Sequence, residues 1–247
     1  MITNHYAALC MLLFSFSCAS SVVIAENGDQ GRGTLIFEDD FERTESQETK
    51  DEIGNGWGSN SRWRAAGNKQ VDLKNGAMYI FMHKDADHAV SVTHPAEFRD
   101  GAIELRFMLE DAKDSLGLNF ADLKYKKVHA GHLFMAKVST RNVELTDMKT
   151  GGMDLKIREL RKAKKVPPTL QELLKTKRKR FPHQLKTGQW YSLLVDVTGD
   201  TMTVSIDGKQ VGSFSSEGIA HPTKRTLRLS VPKNAVVDDV KIYSRAE

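Results

Sequence analysis

Three carboxylates stand at alternate positions in LIFEDDFER (35–43): Glu38, Asp40 and Glu42. Two carboxyls facing each other across a cleft can cleave a glycosidic bond when they lie ~5 Å apart, one as acid or base and the other as nucleophile. In an extended chain Glu38 and Asp40 are ~7 Å apart, and Glu38 and Glu42 ~13 Å. That spacing suits a first strand whose acids face water. Asp39, in phase with Leu35, Phe37 and Phe41, would then point at the core.

Other residues could do different chemistry. In GAIELRFML (101–109), Ile103, Leu105, Phe107 and Leu109 alternate with Glu104 and Arg106. That pair is either a cross-strand ion pair on a wet face or a hydrogen-bonding pair for sugar hydroxyls. HAGH (129–132) places His129 and His132 three apart, which converges on a metal only on a helix, and this stretch leads into a strand. Trp57, in the Gly-rich GNGWGSN, is expected to be exposed and free to stack, whereas Trp63 and Trp190 read as strand residues. The run KTKRKRF (175–181) supplies Lys175, Lys177, Arg178, Lys179 and Arg180, either a solvated helix face or a contact for a polyanion.

The elements that must position these groups are mostly short strands with Gly, Asn and Asp turns. Strands are expected at 62–66, 70–73, 77–83, 88–94, 101–109, 116–123, 132–139, 142–148, 189–199, 201–208, 209–214, 226–231 and 236–243. The Asn75-Gly76 and Asp207-Gly208 turns each close a hairpin. About a dozen strands at this spacing predict an all-β, two-sheet antiparallel sandwich of the jelly-roll kind. One segment differs: residues 154–180 hold eleven Lys or Arg against Asp154, Glu159 and Glu172, in a chain whose formal net charge is only +4. Two helices are expected there, one ended by Pro167-Pro168 and one opened by a Thr169/Glu172 capping box, as an insertion spanning 153–184. Strands 142–148 and 189–199 are expected to close as a hairpin beneath it.

Residues 1–25 carry no Asp, Glu, Lys or Arg and end Val23-Ile24-Ala25. This predicts a signal peptide (1–25), a polar linker (26–33) and a sandwich domain (34–247), secreted or held in the periplasm or cell envelope, with no membrane span after cleavage. An uncleaved anchor or a lipoprotein are the alternatives for that segment. Both cysteines, Cys10 and Cys18, lie within it, so the remaining chain forms no disulfide. Export argues against a nucleic-acid partner for the basic run.

On these residues the chain resembles the concanavalin A-like lectin/glucanase superfamily. FRDGAIELRFML (98–109) is similar to the Gly-x-x-Glu-x-Arg strand of family 16 glucanases, at Gly101, Glu104 and Arg106. GQWYSLLVDVTGDTMTVSIDGKQV (188–211) resembles a hairpin common to glucanase and laminin-G-like domains. In overall order the chain looks like the 3-keto-disaccharide hydrolases, although SLGLNFAD stands where they favour Asn-Ser-Gly followed by Arg. The resemblance implies glycan binding or hydrolysis on a concave sheet, with Glu104, Arg106, Asn119, His132 and Trp57 as contacts; no catalytic residue is assigned. A non-catalytic lectin or adhesion module, reaching an acidic polysaccharide through the basic insertion, is the alternative. The resemblance also implies a structural Ca²⁺ where first and last strands meet. Asp238, in phase with Val236, Val240 and Ile242 in VVDDVKIY, is expected to face the core as Asp39 does, and these two acids are the candidate ligands, unless both bond to turn N–H groups instead.

Overall fold

The computed structural model describes Met1 and residues 31–246; the expected signal peptide, its cleavage point and most of the linker lie outside the described residues. The strands are β1 Thr34–Asp39, β2 Gly58–Ser59, β3 Val71–Lys74, β4 Ala77–Phe81, β5 Val90–Phe98, β6 Asp100–Met108, β7 Ser115–Ala121, β8 His132–Ser139, β9 Asn142–Asp147, β10 Arg178–Pro182, β11 Trp190–Thr198, β12 Thr201–Ile206, β13 Lys209–Ser215, β14 Lys224–Val231 and β15 Asn234–Arg245. The helices are α1 Ser61–Arg64, α2 Leu155–Lys162 and α3 Pro168–Thr176.

The strands form two antiparallel sheets. Sheet A runs β13-β12-β11-β6-β15-β4-β3 with β1 also on β15, and sheet B runs β10-β9-β8-β7-β14-β5-β2. The period-two pattern supplies one apolar face from each. Ile103, Leu105, Phe107, Leu193, Val195 and Val197 from sheet A meet Leu118, Phe120, Phe134, Ala136, Leu227 and Leu229 from sheet B, all fully or almost fully buried. Phe120 and Phe134 stack with ring centroids 4.7 Å apart at the centre of sheet B. The expected jelly-roll sandwich is the observed fold.

Four local expectations are corrected. Residues 62–66 are not a strand: after Gly58–Ser59 the Asn60 side chain bonds Ala89 O and Ser91 N on β5, ending the pairing, and the backbone turns into α1. Strands β9 and β11 do not close as a hairpin, because they lie in different sheets, and the segment between them is the crossover. That crossover is not an insertion through to 184: Arg178–Pro182 is β10, the edge strand of sheet B, paired with β9 from Arg178↔Thr146 to Pro182↔Asn142. Phe181 lies against Gly212 of β13, where a Cβ would sit 2.5 Å from its ring. Finally, the Thr169/Glu172 box does not form. Pro167 precedes α3, which makes no side-chain cap, and Glu172 pairs with Lys175 at 2.7 Å.

The other helix forms as expected but ends at Lys162, where the chain turns through Lys164 at φ 55° ahead of Pro167-Pro168. Asp154 caps α2 by accepting from Ile157 N at 3.0 Å, offsetting one of the orphan donors of a helix start. Neither α2 nor α3 buries a residue, so both lie outside the core. No described helix is long and apolar enough to cross a membrane.

Candidate functional site

The outward face of sheet B carries polar residues in continuous cross-strand register. One row reads Gly58, Thr93, Arg228, Asn119, Met135, Thr146 and Arg178, one residue from each of the seven strands. A second reads Ser91, Ser230, Gly117, Lys137, Glu144 and Arg180. These rows follow from the alternation that buries Leu118, Phe120, Ala136 and Leu229 on the other side. Ser91 and Ser230 at one end of the second row are half-buried and Gly117 is buried under Met135, so the accessible hydrogen-bonding groups stand on the strands flanking β7.

At the centre of the first row three side chains interlock. His132 Nδ1 lies 3.0 Å from Asn119 Oδ1 and 3.3 Å from Arg228 Nη1, and Arg228 Nη2 donates to Ala130 O at 2.8 Å. Burial pulls the His132 pKa down to about 4, and the Arg228 charge adds to that, so the ring is neutral at pH 7. Nδ1 thus faces an acceptor and a donor at once, and it donates to Asn119 in one tautomer or accepts from Arg228 in the other. Asn119 is almost fully buried beneath Met148, its Nδ2 3.1 Å from the thioether sulfur. The His129 and His132 rings are 6.3 Å apart and form no chelate with one another.

The sequence-derived set is divided between the two sheets. Asn119 and His132 belong to sheet B, whereas Glu104 and Arg106 stand on the outer face of sheet A, so the expectation that His132 shares a sheet with Glu104 is corrected. Glu104 is paired with Arg32 at 2.9 Å. Arg106 lies over the Trp190 ring at 4.8 Å and bridges Asp238 and Asp239 at 3.3 and 3.4 Å.

Trp57 is not an exposed platform. Gly54 and Gly56, both at positive φ, fold the loop back so that the indole packs among Phe37, Phe41 and His94. It is only 8% exposed, and Nε1 donates to Asp39 Oδ2 at 2.8 Å. The open tryptophan is Trp63 on α1, 69% exposed, at the β2–β5 border of sheet B, where Asn60 ties α1 to Ser91. A core-facing Asp39 in need of a donor was the signal in the sequence that could have placed Trp57 inside.

The two acids expected to share Ca²⁺ do not converge. Asp39 is buried as expected, but its oxygens accept from Arg43 at 2.6 and 3.0 Å, from Trp57 and from Phe41 N. Burial alone would raise its pKa; these bonds, Arg43 first, outweigh that and hold it below the usual value. Asp238 is not core-facing. The register of β15 on β6 slips between Asp238 and Lys241, with Asp239 at φ 49°, and a bulge of one residue reverses which side faces in. Ala235, Val237, Val240 and Ile242 join the core cluster, and Asp238 faces outward to Arg106. Burial pushes its carboxyl upward. This pair does not fit a calcium ion, and among the described residues no three His, Cys, Asp or Glu side chains gather as a metal site.

The five basic residues also separate. Arg178 and Arg180 stand on the outer face of β10, where Arg180 pairs with Glu144 at 2.6 Å. Lys179 Nζ sits 5.2 Å from the Phe181 ring centroid. Lys175, Lys177 and Arg178 line a cleft of about 590 Å³ between the helical pair and strands β9–β10, together with Arg161 and Lys164. Arg161 on α2 and Lys164 just after it were not among the sequence candidates, because only the fold brings them beside Arg178.

No protein-family model and no curated protein matches the chain. Its fold is shared with solved structures at low identity. Carbohydrate-binding module CBM66 from Bacillus subtilis is 13% identical over 76% of this chain and 96% of its own, with a TM-score of 0.51. A laminarinase from Flavobacterium sp. UMI-01 is 13% identical over 85% and 100%, TM-score 0.55. A Bacillus licheniformis β-glucanase is 9% identical over 87% and 99%, TM-score 0.58. The concanavalin A-like jelly roll suggested by the sequence is thus the fold of this chain.

Proposed function

We propose that this domain binds a polysaccharide along the outer face of sheet B and does not cleave it. The observation that carries the reading is the pair of polar rows in register across the sheet, with Trp63 exposed at one end. Sugar hydroxyls match such a floor of Ser, Thr, Lys and Arg, and an exposed indole stacks on a pyranose face. The fold neighbours named as a carbohydrate-binding module and as glucanases support a carbohydrate ligand. They do not choose between binding and hydrolysis.

The choice rests on carboxylates. Hydrolysis uses two, ~5 Å apart for retention and ~6.5–9.5 Å for inversion. In the two rows the one carboxylate is Glu144, tied to Arg180 and opposite Lys137. Beside the rows, Glu97 on β5 and Asp122 after β7 share Arg225, at 2.5 and 3.3 Å, and Asp122 is also 3.1 Å from His221, so both carboxyls are engaged in ion pairs. Export, as the uncharged N-terminal segment suggests, would put the domain where polysaccharides are met; a mature chain beginning at Glu26 is the expected result of N-terminal sequencing.

The test is a glycan array run beside a reducing-end assay on the bound polysaccharides. Binding without release of reducing ends is expected. Trp63→Ala and Ser230→Tyr should each lower affinity tenfold or more with little change in melting temperature. Steady turnover of a bound glycan, or full binding by both variants, would overturn the reading.

A further inference from the structure

The cleft between the helical pair and sheet B is built for negative charge. Its cations are Arg161 on α2, Lys164 just after it, Lys175 on α3, Lys177 between α3 and β10, and Arg178 at the start of β10, and no carboxylate is among its lining residues. The neighbouring acids do little to neutralise them. Asp147, 3.9 Å from Lys177, is already engaged by Thr150, Ser216 and the backbone N of Gly218. Glu172 reaches Lys175 on the solvent side, where both side chains are about two-thirds exposed. Among the described residues the Arg161 side chain reaches a carbonyl, Gly152 O at 3.4 Å, and no carboxylate. The side chains of Lys164 and Arg178 have no hydrogen-bond or ion-pair partner among the described residues. Like charges held around one cavity repel one another, and an entering oxyanion reverses the sign of each interaction.

The position of the cleft is as informative as its charge. Thr146 and Arg178, the last two members of the first polar row, also line it. The row therefore runs from open sheet into a cationic recess. Val166 and Leu174 give that recess apolar wall suited to the carbon face of a sugar ring, and no aromatic side chain lines it for stacking a nucleobase.

We infer that the cleft takes a sulfate or carboxylate substituent of the glycan lying on sheet B, so that the ligand is an acidic polysaccharide. This rests on the glycan-binding reading and names its substrate class. A heparin hexasaccharide, a hexagalacturonate and a neutral laminarihexaose would be titrated calorimetrically into the protein and into Lys164→Gln/Lys175→Gln. Neither lysine belongs to the polar rows, and the exposed Lys175–Glu172 pair contributes little to stability.

The expected result is at least tenfold tighter binding of one or both acidic probes at 50 mM salt, falling steeply as salt rises. The double variant should lose that advantage and bind the neutral probe as the parent does. Equal affinity for acidic and neutral probes would overturn the cleft and leave the sheet reading standing. Acidic binding that survives the double variant would also overturn it. Acidic binding lost in the double variant, with no neutral binding at any length, would uphold an anion cleft while removing the polar rows as its partner. Tighter binding of a single-stranded oligonucleotide than of either acidic saccharide would overturn the glycan assignment.

Discussion

Asp39 shows how much one buried carboxylate organises. It joins the end of β1 to the turn at Phe41, to Arg43 and to the Trp57 loop. Asp39→Asn should cost about 2–4 kcal/mol in urea unfolding, because it strips the partner from Arg43 and weakens a fully used acceptor. Since the folded pKa lies below the unfolded one, this contribution is complete above about pH 4 and fades as pH falls through that range. EDTA should leave the melting temperature unchanged, as Arg43 already supplies the charge an ion would bring. The burial of Asp39 was legible from parity, whereas its partners were not, since nothing local says that the chain doubles back at Phe41. His132 carries a second residue-scale prediction. Its folded pKa of about 4 lies below the unfolded value, so the unfolded chain takes the proton first. Stability from the neutral ring is full above about pH 6.5 and is lost as pH falls toward 4, by roughly 2–3 kcal/mol. His132→Gln should flatten the melting-temperature profile across that window, and an unchanged slope would count against the buried ring.

At the scale of elements, the helical pair and β10 must be treated separately. Replacing 155–176 by a Gly/Ser linker of about six residues should leave a cooperative transition within a few degrees of the parent, since α2 and α3 bury nothing and loop closure depends weakly on length. Gly151 and Lys177 already lie against each other, 3.2 Å between the built Cβ of one and the side chain of the other. Removing 153–184 instead deletes β10 and the Phe181 contact with Gly212, and calorimetry should then show a much lower melting temperature. Strand positions were legible because alternation is local: 132–139 was read to the residue. The β15 bulge was not, because its extra residue shows only against the register of β6, and so Asp238 was assigned to the wrong face. The edge strand was hidden for a similar reason. RKRFP has little apolar alternation, and only its pairing with β9 makes it a strand.

For the whole molecule, charge and core are divided. The sandwich supplies the buried apolar surface, and the crossover supplies the positive charge that makes the chain basic overall. The fold was legible in the sequence; the candidate site was legible only in pieces. Asn119, His132 and Arg178 lie far apart in the chain, and only the cross-strand register of sheet B sets them on one face. Arg228 escaped notice altogether, since it stands in TLRLSV as one polar residue in an ordinary alternating strand.

The cationic strand β10 has a further consequence, for how copies of this protein behave in company. An edge strand leaves unpaired N–H and C=O groups that can template the strand of another molecule. Arg178, Lys179 and Arg180 place three like charges in succession along this edge, and Pro182 removes a donor at its end. Two such edges approaching each other would meet charge against charge before a single backbone bond could form. Arg178→Thr/Lys179→Thr/Arg180→Thr keeps strand propensity and removes the repulsion. Light scattering should report sheet-edge dimers or larger aggregates from this variant at concentrations where the parent stays monodisperse, and a parent-like trace would place the protection elsewhere.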